Sequence, residues 1–364
     1  MAGAAILSGS GPLAVPRPRI SVTTPHQLSD FPFAPWLLDR VRQAKRMVLM
    51  THVGPDADGL GSQLAFALAA RQQGVQVAIV NDEPLPPRYG WLDPEQLVQS
   101  YDTAAQALDG ADLGLIFDAH EVQRAARPAQ HLVAAGVPVW VVDHHPPKPE
   151  LALQGVIAAK FSSTGELVYE LLQALGWPVT QAVAAPIFAA IAFDTGSFRF
   201  VRNDPQTFRV AAALLETGLD VAPIQEALFA SKPRAEVELL GRVLSEVRFA
   251  AEGRVSYALL RPEITAGLAL DGDALGEVIP TLINIDGVLA AVLLKPGKTP
   301  QEWKLSLRSK DAVTVGHVAR IRGGGGHDHA AGATLTGDAE NLMKTLVAEV
   351  VAAVETQTAN PPTA

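Results

Sequence analysis

Four short segments of the sequence combine aspartate and histidine side chains in a way that could do chemistry. They contain His52, Asp56 and Asp58; Asp118; Asp143, His144 and His145; and Asp194. Carboxylates and imidazoles together suit manganese, iron or zinc, whereas calcium and magnesium sites seldom use histidine. Several carboxylates with two or three histidines suffice for two metal ions about 3.5–4 Å apart, which would lower the pKa of a shared water. The residue types therefore indicate metal-assisted hydrolysis.

Each segment also has a simpler interpretation when it is taken alone. An aspartate that follows a strand, as Asp118 or Asp194 could, is usually a helix cap or a turn former. Asp56 and Asp58 fit a turn, and a pair of adjacent histidines is more often incidental than metal-binding. The joint occurrence of all four segments after apolar runs favours the metal site.

The elements that would position these side chains follow from the hydrophobic pattern of the first half of the chain. Buried-type strands are predicted at residues 47–50, 75–80, 113–117 and 137–142. Uniformly apolar strands separated by helices indicate an α/β fold with a mainly parallel sheet flanked by helices. Because the carboxyl ends of parallel strands share one edge, the first three segments should converge there. Residues 186–193 could form a strand or a helix, so this rule does not place Asp194.

A second, smaller α/β domain is predicted because the chain has 364 residues, and single cores stop growing at roughly 250–300. Helices dominate residues 181–249, and strands are predicted at 255–260, 288–294 and 303–307, with helices at 273–285 and 338–354. The expected organisation is a flexible tail (1–30), a catalytic domain (31–230), a connecting helix (231–250), a substrate-binding domain (251–356) and a disordered tail (357–364).

Composition limits the classes of protein to which the chain can belong. The formal net charge of -9 does not favour binding of long nucleic-acid duplexes, so no long duplex partner is expected. The absence of cysteine excludes disulfides, thiolate-bound zinc and thiol nucleophiles. The first residues lack the features of a signal peptide, and no apolar run approaches the roughly 20 residues that a membrane helix needs. A cytoplasmic location without a membrane partner is expected.

The sequence resembles the DHH phosphoesterase superfamily, named for the tripeptide that stands here at residues 143–145. Four segments match its core motifs in order: HVGPDADGLGS, LIFDAH, VVDHH and AIAFDTGSF. Further on, RGGGGHDHAAGATL resembles the glycine-rich motif of the DHH-associated domain, so the likeness covers roughly residues 35–350. Within the superfamily the chain looks most like bacterial nanoRNases and phosphoadenosine-phosphate phosphatases, some of which degrade cyclic or linear dinucleotides.

The resemblance implies a role for each residue of the four segments. Two Mn²⁺ ions, replaceable by Mg²⁺ or Co²⁺, would occupy the site. His52 and Asp56 would bind one ion, Asp58, His144 and Asp194 would bind the other, and Asp118 would bridge them. His145 would contact the scissile phosphate and assist proton transfer, while Asp143 would hold an imidazole in place.

The resemblance also implies that residues of the second domain hold the far end of the substrate, in a cleft between the domains. The candidates are Arg308, Gly324, Gly325, Gly326 and His327. Consecutive glycines permit close approach of a phosphate or a base, although without the resemblance a flexible turn is the favoured interpretation. Arg199 is a further candidate for phosphate contact, for which an ordinary surface arginine is the alternative interpretation.

The expected activity is hydrolysis of short RNA or DNA oligonucleotides to 5′-mononucleotides, by attack of a metal-activated water on the phosphoester. Removal of the 3′-phosphate from 3′-phosphoadenosine 5′-phosphate, and hydrolysis of cyclic di-AMP or its linear product, are further expectations. The alternatives are a single-strand exonuclease, a manganese pyrophosphatase-like enzyme and a nucleotide-sensing module without turnover. A homodimer is expected from the resemblance alone.

Overall fold

The computed structural model describes residues 33–146, 153–201, 205–231, 233–270, 278–310 and 313–359. The tail predicted at residues 1–30 lies outside them. The chain divides after Ala230 into two compact units. Each unit is built around its own six-stranded sheet, which confirms the predicted α/β class.

The first unit contains a parallel sheet. Its strands are β1 (Arg46–Thr51), β2 (Gln76–Asn81), β3 (Val98–Ser100), β4 (Leu113–Phe117), β5 (Val139–Asp143) and β6 (Gln154–Ile157). Its helices are α1 (Pro35–Gln43), α2 (Ala57–Gln72), α3 (Tyr101–Ala104), α4 (Val122–Ala134), α5 (Thr164–Leu175), α6 (Gln181–Asp194), α7 (Gln206–Glu216) and α8 (Ala222–Gln225). The strand order is β3-β2-β1-β4-β5-β6, and each neighbouring pair is parallel.

Helices cover both faces of this sheet, which explains why its central strands are apolar throughout. Met47 and Leu49 of β1 point into a core with residues of α2, α5 and α6. Val48 and Met50 point to the opposite face, into a core with residues of α4. Because side chains alternate between faces, a strand buried on both sides needs an apolar residue at every position.

The strand register brings the chemistry-bearing segments to one edge. Thr51 at the end of β1 pairs with Phe117 at the end of β4, and Phe117 pairs with Val142 of β5. The residues that follow these strands therefore emerge side by side, as expected for parallel strands.

Asp194 reaches the same region by a different route, since it is the last residue of helix α6. This helix packs closely against α2: a Cβ atom added to Gly61 would lie 2.4 Å from the carbonyl oxygen of Pro186. Only glycine at this position permits so close an approach of the two helices.

The second unit contains a mixed sheet. Its strands are β7 (Arg248–Ala250), β8 (Val255–Leu259), β9 (Ala290–Pro296), β10 (Glu302–Ser309), β11 (Gly325–His327) and β12 (Ala330–Thr336). Its helices are α9 (Arg234–Ser245), α10 (Pro262–Thr265), α11 (Val278–Ile283), α12 (Gly316–Arg320) and α13 (Ala339–Ala359). The order is β11-β12-β10-β9-β8-β7, with β8 and β9 parallel and the other pairs antiparallel.

Short irregular turns complete the chain. Turns of 3₁₀ helix lie at Pro87–Leu92, Ala105–Leu108 and Ala251–Gly253, and a π-helical turn lies at Glu226–Ala230. Among the residues that the structure describes, no helix is long and apolar enough to cross a membrane.

Several predicted boundaries differ from the structure. The helix predicted to connect the domains at 231–250 is α9 (Arg234–Ser245), whose Leu239 and Val243 pack in a core of the second unit, and Arg248–Ala250 is a strand. The helix predicted at 273–285 is described only as Val278–Ile283, because residues 271–277 lie outside the described part. Helix α13 continues to Ala359, so residues 357–359 are helical; residues 360–364 lie outside the described part.

Candidate active site

The first group of candidate metal ligands lies just after β1. Asp56 caps α2, because its Oδ1 accepts hydrogen bonds from the backbone N–H groups of Asp58 and Gly59 at 3.0 and 3.2 Å. Its Oδ2 is 3.9 Å from Nε2 of His52, and the same Nε2 is 3.4 Å from Oδ2 of Asp118. His52, Asp56 and Asp118 thus form a group that could hold a metal ion.

The second group contains Asp58, His144 and Asp194. Nδ1 of His144 is 3.2 Å from the carbonyl oxygen of Phe161, so Nε2 is the nitrogen that faces the carboxylates. It lies 3.7 Å from Oδ2 of Asp58 and 3.4 Å from Oδ2 of Asp194. This Nε2 is buried and has no hydrogen-bond partner.

An unpartnered nitrogen in this position fits a metal ligand, because a buried polar atom normally finds a partner. Burial lowers the pKa of His144, which favours the neutral imidazole that binds metals. The Nδ1–H bond to the Phe161 carbonyl then leaves the Nε2 lone pair directed at the carboxylates.

Asp118 belongs to the first group and lies beside His144 of the second group. Its Oδ2 faces His52, whereas its Oδ1 lies 3.7 Å from Nε2 of His144 and accepts a 2.9 Å hydrogen bond from the Thr164 hydroxyl. The backbone of Asp118 has a φ of 59°, a left-handed conformation that is uncommon for a residue other than glycine. One carboxylate therefore offers an oxygen to each group, in the arrangement of a bridging ligand.

The carboxylate groups of the site lie close together, and those of Asp58 and Asp118 are buried. Burial, followed by the charge of Asp118, raises the pKa of Asp56 and raises the pKa of Asp58 well above its usual range. Such a group of acids is unfavourable unless protons or cations neutralise it. The mixed oxygen and nitrogen donors suit a divalent transition-metal ion such as manganese, iron or zinc.

His145 stands at the rim of the site, with its side chain 40% exposed. Oδ1 of the buried Asp143 accepts hydrogen bonds from the ring Nδ1 and the backbone N–H of His145, at 2.8 and 3.1 Å. The hydrogen bond to Asp143 raises the pKa of His145 to about 9. Burial alone would raise the pKa of Asp143, but its bonds to His145 lower it to about 2.

His120 is a member of the site that the sequence analysis did not assign. Its Nδ1 forms a short hydrogen bond with Oδ2 of Asp143, so the buried Asp143 carboxylate links two imidazoles. The sequence feature that could have identified His120 is its position in the LIFDAH segment, two residues after Asp118.

Arg199 lies apart from these residues in its described contacts. Its Nε donates to the carbonyl oxygen of Gly196 at 2.9 Å, and its guanidinium lies 5.5 Å from the ring centroid of Phe200. The side chain is exposed, which matches the alternative interpretation as a surface arginine.

The predicted substrate-binding residues of the second unit lie on neighbouring strands. Arg308 of β10 pairs with Ala330 of β12, which in turn pairs with His327 of β11. Paired residues project to the same face of a sheet, so Arg308 and His327 flank Ala330 at roughly 10 Å, two strand spacings. Burial lowers the pKa of the half-buried Arg308. This face of the sheet therefore carries the side chains of Arg308 and His327 on either side of the small Ala330.

The glycines of this segment are not equivalent. A Cβ atom at Gly324 would lie 2.2 Å from the Gly332 carbonyl oxygen, and one at Gly326, where φ is +117°, would lie 2.4 Å from the Ala330 carbonyl oxygen. At Gly325 an added Cβ would meet nothing within 4 Å. Packing and backbone conformation therefore require glycine at positions 324 and 326, whereas they leave position 325 unexplained.

Both units of the chain match known domain families. The DHH family N-terminal domain matches residues 46–191, and the DHHA1 domain matches residues 254–356. The bifunctional oligoribonuclease and PAP phosphatase NrnA of Thermus thermophilus is 33% identical over 293 residues, which are 79% of this chain and 84% of that protein. NrnA of Bacillus subtilis is 25% identical over 292 residues, 79% of this chain and 89% of that protein.

A solved structure supports the fold. The exopolyphosphatase-related protein from Bacteroides fragilis aligns with a TM-score of 0.80 at 22% identity, over 87% of this chain and 96% of that one. Together with the matches to the DHH family and to NrnA, the carboxylate–histidine cluster identifies the chain as a metal-dependent phosphoesterase. The chain belongs to the DHH family of these enzymes and carries the DHHA1 domain as its second unit.

Proposed function

We propose that the chain binds two Mn²⁺ ions and hydrolyses short oligonucleotides to 5′-mononucleotides. The observation that carries the two-ion proposal is Asp118, which turns one oxygen to each of two ligand groups. Two ions at this site would activate a water molecule and stabilise the charge that develops on the phosphoester oxygens. The unpartnered Nε2 of His144 supports the second group.

His145 is proposed as the residue that contacts the scissile phosphate. Its exposure at the rim leaves it accessible to a substrate, and its bond to Asp143 fixes the ring. With Nδ1 held by Asp143, Nε2 is the ring nitrogen that would donate a hydrogen bond or a proton to a phosphoester oxygen. Asp143, in turn held by His120, acts by orienting this ring.

The substrate class rests on the relatives and on the second unit. The NrnA relatives are named as oligoribonucleases and PAP phosphatases, so removal of the 3′-phosphate from 3′-phosphoadenosine 5′-phosphate is proposed as a second activity. Arg308, His327 and the exposed backbone at Gly325 would bind a terminal phosphate or base. Activity on cyclic di-AMP, a role for Arg199, a homodimer and a cytoplasmic location remain predictions from the sequence.

A substrate panel tests the proposal. The purified chain is incubated with Mn²⁺ and a 5′-phosphorylated RNA dinucleotide, a 20-residue RNA, cyclic di-AMP, 3′-phosphoadenosine 5′-phosphate or pyrophosphate. Asp118→Ala is the matched control, because loss of the shared carboxylate should abolish turnover. The expected result is fastest cleavage of the dinucleotide.

The other outcomes identify the alternatives. Fastest cleavage of the 20-residue RNA would indicate an exonuclease, and preference for pyrophosphate would indicate a pyrophosphatase. Tight nucleotide binding without turnover of any of the five compounds would refute the enzymatic proposal in favour of a sensing module.

A further inference from the structure

The start of helix α5 holds one of the ligand carboxylates. Asp58 accepts hydrogen bonds from the backbone N–H groups of Thr164 at 2.8 Å and of Gly165 at 2.9 Å, one to each carboxylate oxygen. These N–H groups belong to the first turn of α5 and have no partner within the helix. Both oxygens of Asp58 are thus fixed in direction by the helix.

The side chain of Thr164 holds a second ligand carboxylate. Its hydroxyl donates to Oδ1 of Asp118 at 2.9 Å. Thr164 and Asp118 are both buried, and the left-handed backbone of Asp118 is unfavourable by itself. A single residue therefore bonds Asp58 of the second ligand group and Asp118, whose two oxygens face His52 of the first group and His144 of the second.

We propose that Thr164 is a positioning residue that fixes the rotation of the Asp118 carboxylate relative to Asp58. This inference rests on the proposed two-ion site. The hydroxyl approaches Oδ1 and leaves Oδ2 directed at His52. Without this bond the Asp118 carboxylate can rotate about χ2, and the two ligand groups no longer share it in a fixed geometry.

The test removes the hydroxyl and keeps the shape. Thr164→Val retains the β-branch and the backbone N–H that bonds Asp58, whereas Thr164→Ser retains the hydroxyl. Groups that hydrogen-bond metal ligands typically change metal affinity or activity by about 10- to 100-fold when they are removed. We expect Thr164→Val to lower Mn²⁺ affinity and kcat by about this factor, with a smaller change in KM. Thr164→Ser should stay near wild type.

Ser163→Ala is the matched control for the integrity of the helix. The Ser163 hydroxyl accepts a 3.0 Å hydrogen bond from the backbone N–H of Glu166, so it caps α5 without contacting a ligand carboxylate. We expect this variant to melt at a lower temperature and to keep its Mn²⁺ affinity. Equal loss of affinity in Ser163→Ala and Thr164→Val would overturn the proposal, since helix stability would then explain both.

Mn²⁺ binding is measured by isothermal titration calorimetry and by the loss of the free-ion paramagnetic resonance signal, and kcat and KM are measured on the RNA dinucleotide. If Thr164→Val does not fold, Thr164→Ala deletes the same hydroxyl without an added methyl group. Wild-type affinity in the folded deletion variant would refute the inference. Because binding is read without substrate, an inactive wild type would count against the proposed function and leave the comparison of the variants intact.

Discussion

The glycine at position 325 offers a test that separates binding from stability. An added Cβ there meets nothing within 4 Å, and Gly325 is not among the residues with positive φ. Gly325→Ala should therefore fold normally, and the lower entropy of its unfolded chain should stabilise it by about 0.4–1 kcal/mol. If a substrate phosphate approaches this backbone, the methyl group will block the contact.

The expected effect on binding follows from the hydrogen bond that would be lost. A hydrogen bond to a charged group contributes about 1.5–3 kcal/mol, so we expect KM for the RNA dinucleotide to rise roughly 10- to 150-fold. As the edge strand of its sheet, β11 has one side that no described strand of the sheet pairs. Backbone groups on that side are the ones that a ligand can use.

Gly324→Ala is the matched control. Its Cβ would lie 2.2 Å from the Gly332 carbonyl oxygen and 2.6 Å from the Ala333 Cβ, and such overpacking typically destabilises by about 1–3 kcal/mol. Thermal unfolding followed by circular dichroism, together with steady-state kinetics, distinguishes the two variants. An unchanged KM in Gly325→Ala would refute the substrate contact, and unchanged stability in Gly324→Ala would refute the packing argument.

Two further predictions concern the support of the site. Because the folded pKa of Asp143 is lowered to about 2, its contribution to stability is present above pH ~4 and is lost as pH falls towards 2. In metal-free protein we expect Asp143→Asn to lower the unfolding free energy at pH 7 by about 2 kcal/mol. Denaturant titrations should show a smaller difference between variant and wild type at pH 2.5. An equal difference at both pH values would contradict the lowered pKa of Asp143. Gly61→Ala, whose Cβ would lie 2.4 Å from the Pro186 carbonyl oxygen, should displace α6 and with it Asp194. We expect lower melting temperature and lower kcat together, and normal activity in a destabilised variant would show that α6 does not position Asp194.

The parallel sheet and three of the four site segments could be predicted from the sequence, because burial on both faces leaves an unmistakable apolar pattern. Strands β1, β4 and β5 are such runs, and parallel pairing brings their carboxyl ends together. The apolar run before Asp194 was ambiguous for a physical reason. Helix α6 is buried around most of its surface, so it shows no amphipathic period that would distinguish it from a strand.

The second unit shows a different limit of sequence reasoning. Strands β11 and β12 are rich in glycine and alanine, residues that are depleted in strands. The pairing of β12 with β10, and of β11 with β12, arises from tertiary packing, in which small residues allow the backbones to lie close together. The segment therefore looked like a turn, although residues 325–327 form an edge strand.

Contacts among the polar side chains were the least predictable part of the site. His120 follows Asp118 closely in sequence, yet only the folded structure shows that it bonds Asp143. Likewise, the sequence does not indicate that Thr164 reaches Asp58 and Asp118, which are distant along the chain. Such contacts depend on where two elements meet in space, which local patterns do not specify.

Crystals of the protein grown with Mn²⁺ and measured at the manganese absorption edge test the central claim most directly. We expect two anomalous peaks about 3.5–4 Å apart. One should lie against His52 and Asp56, the other against Asp58, His144 and Asp194, and Asp118 should contact both. A single peak, or two peaks that do not share Asp118, would contradict the two-ion site.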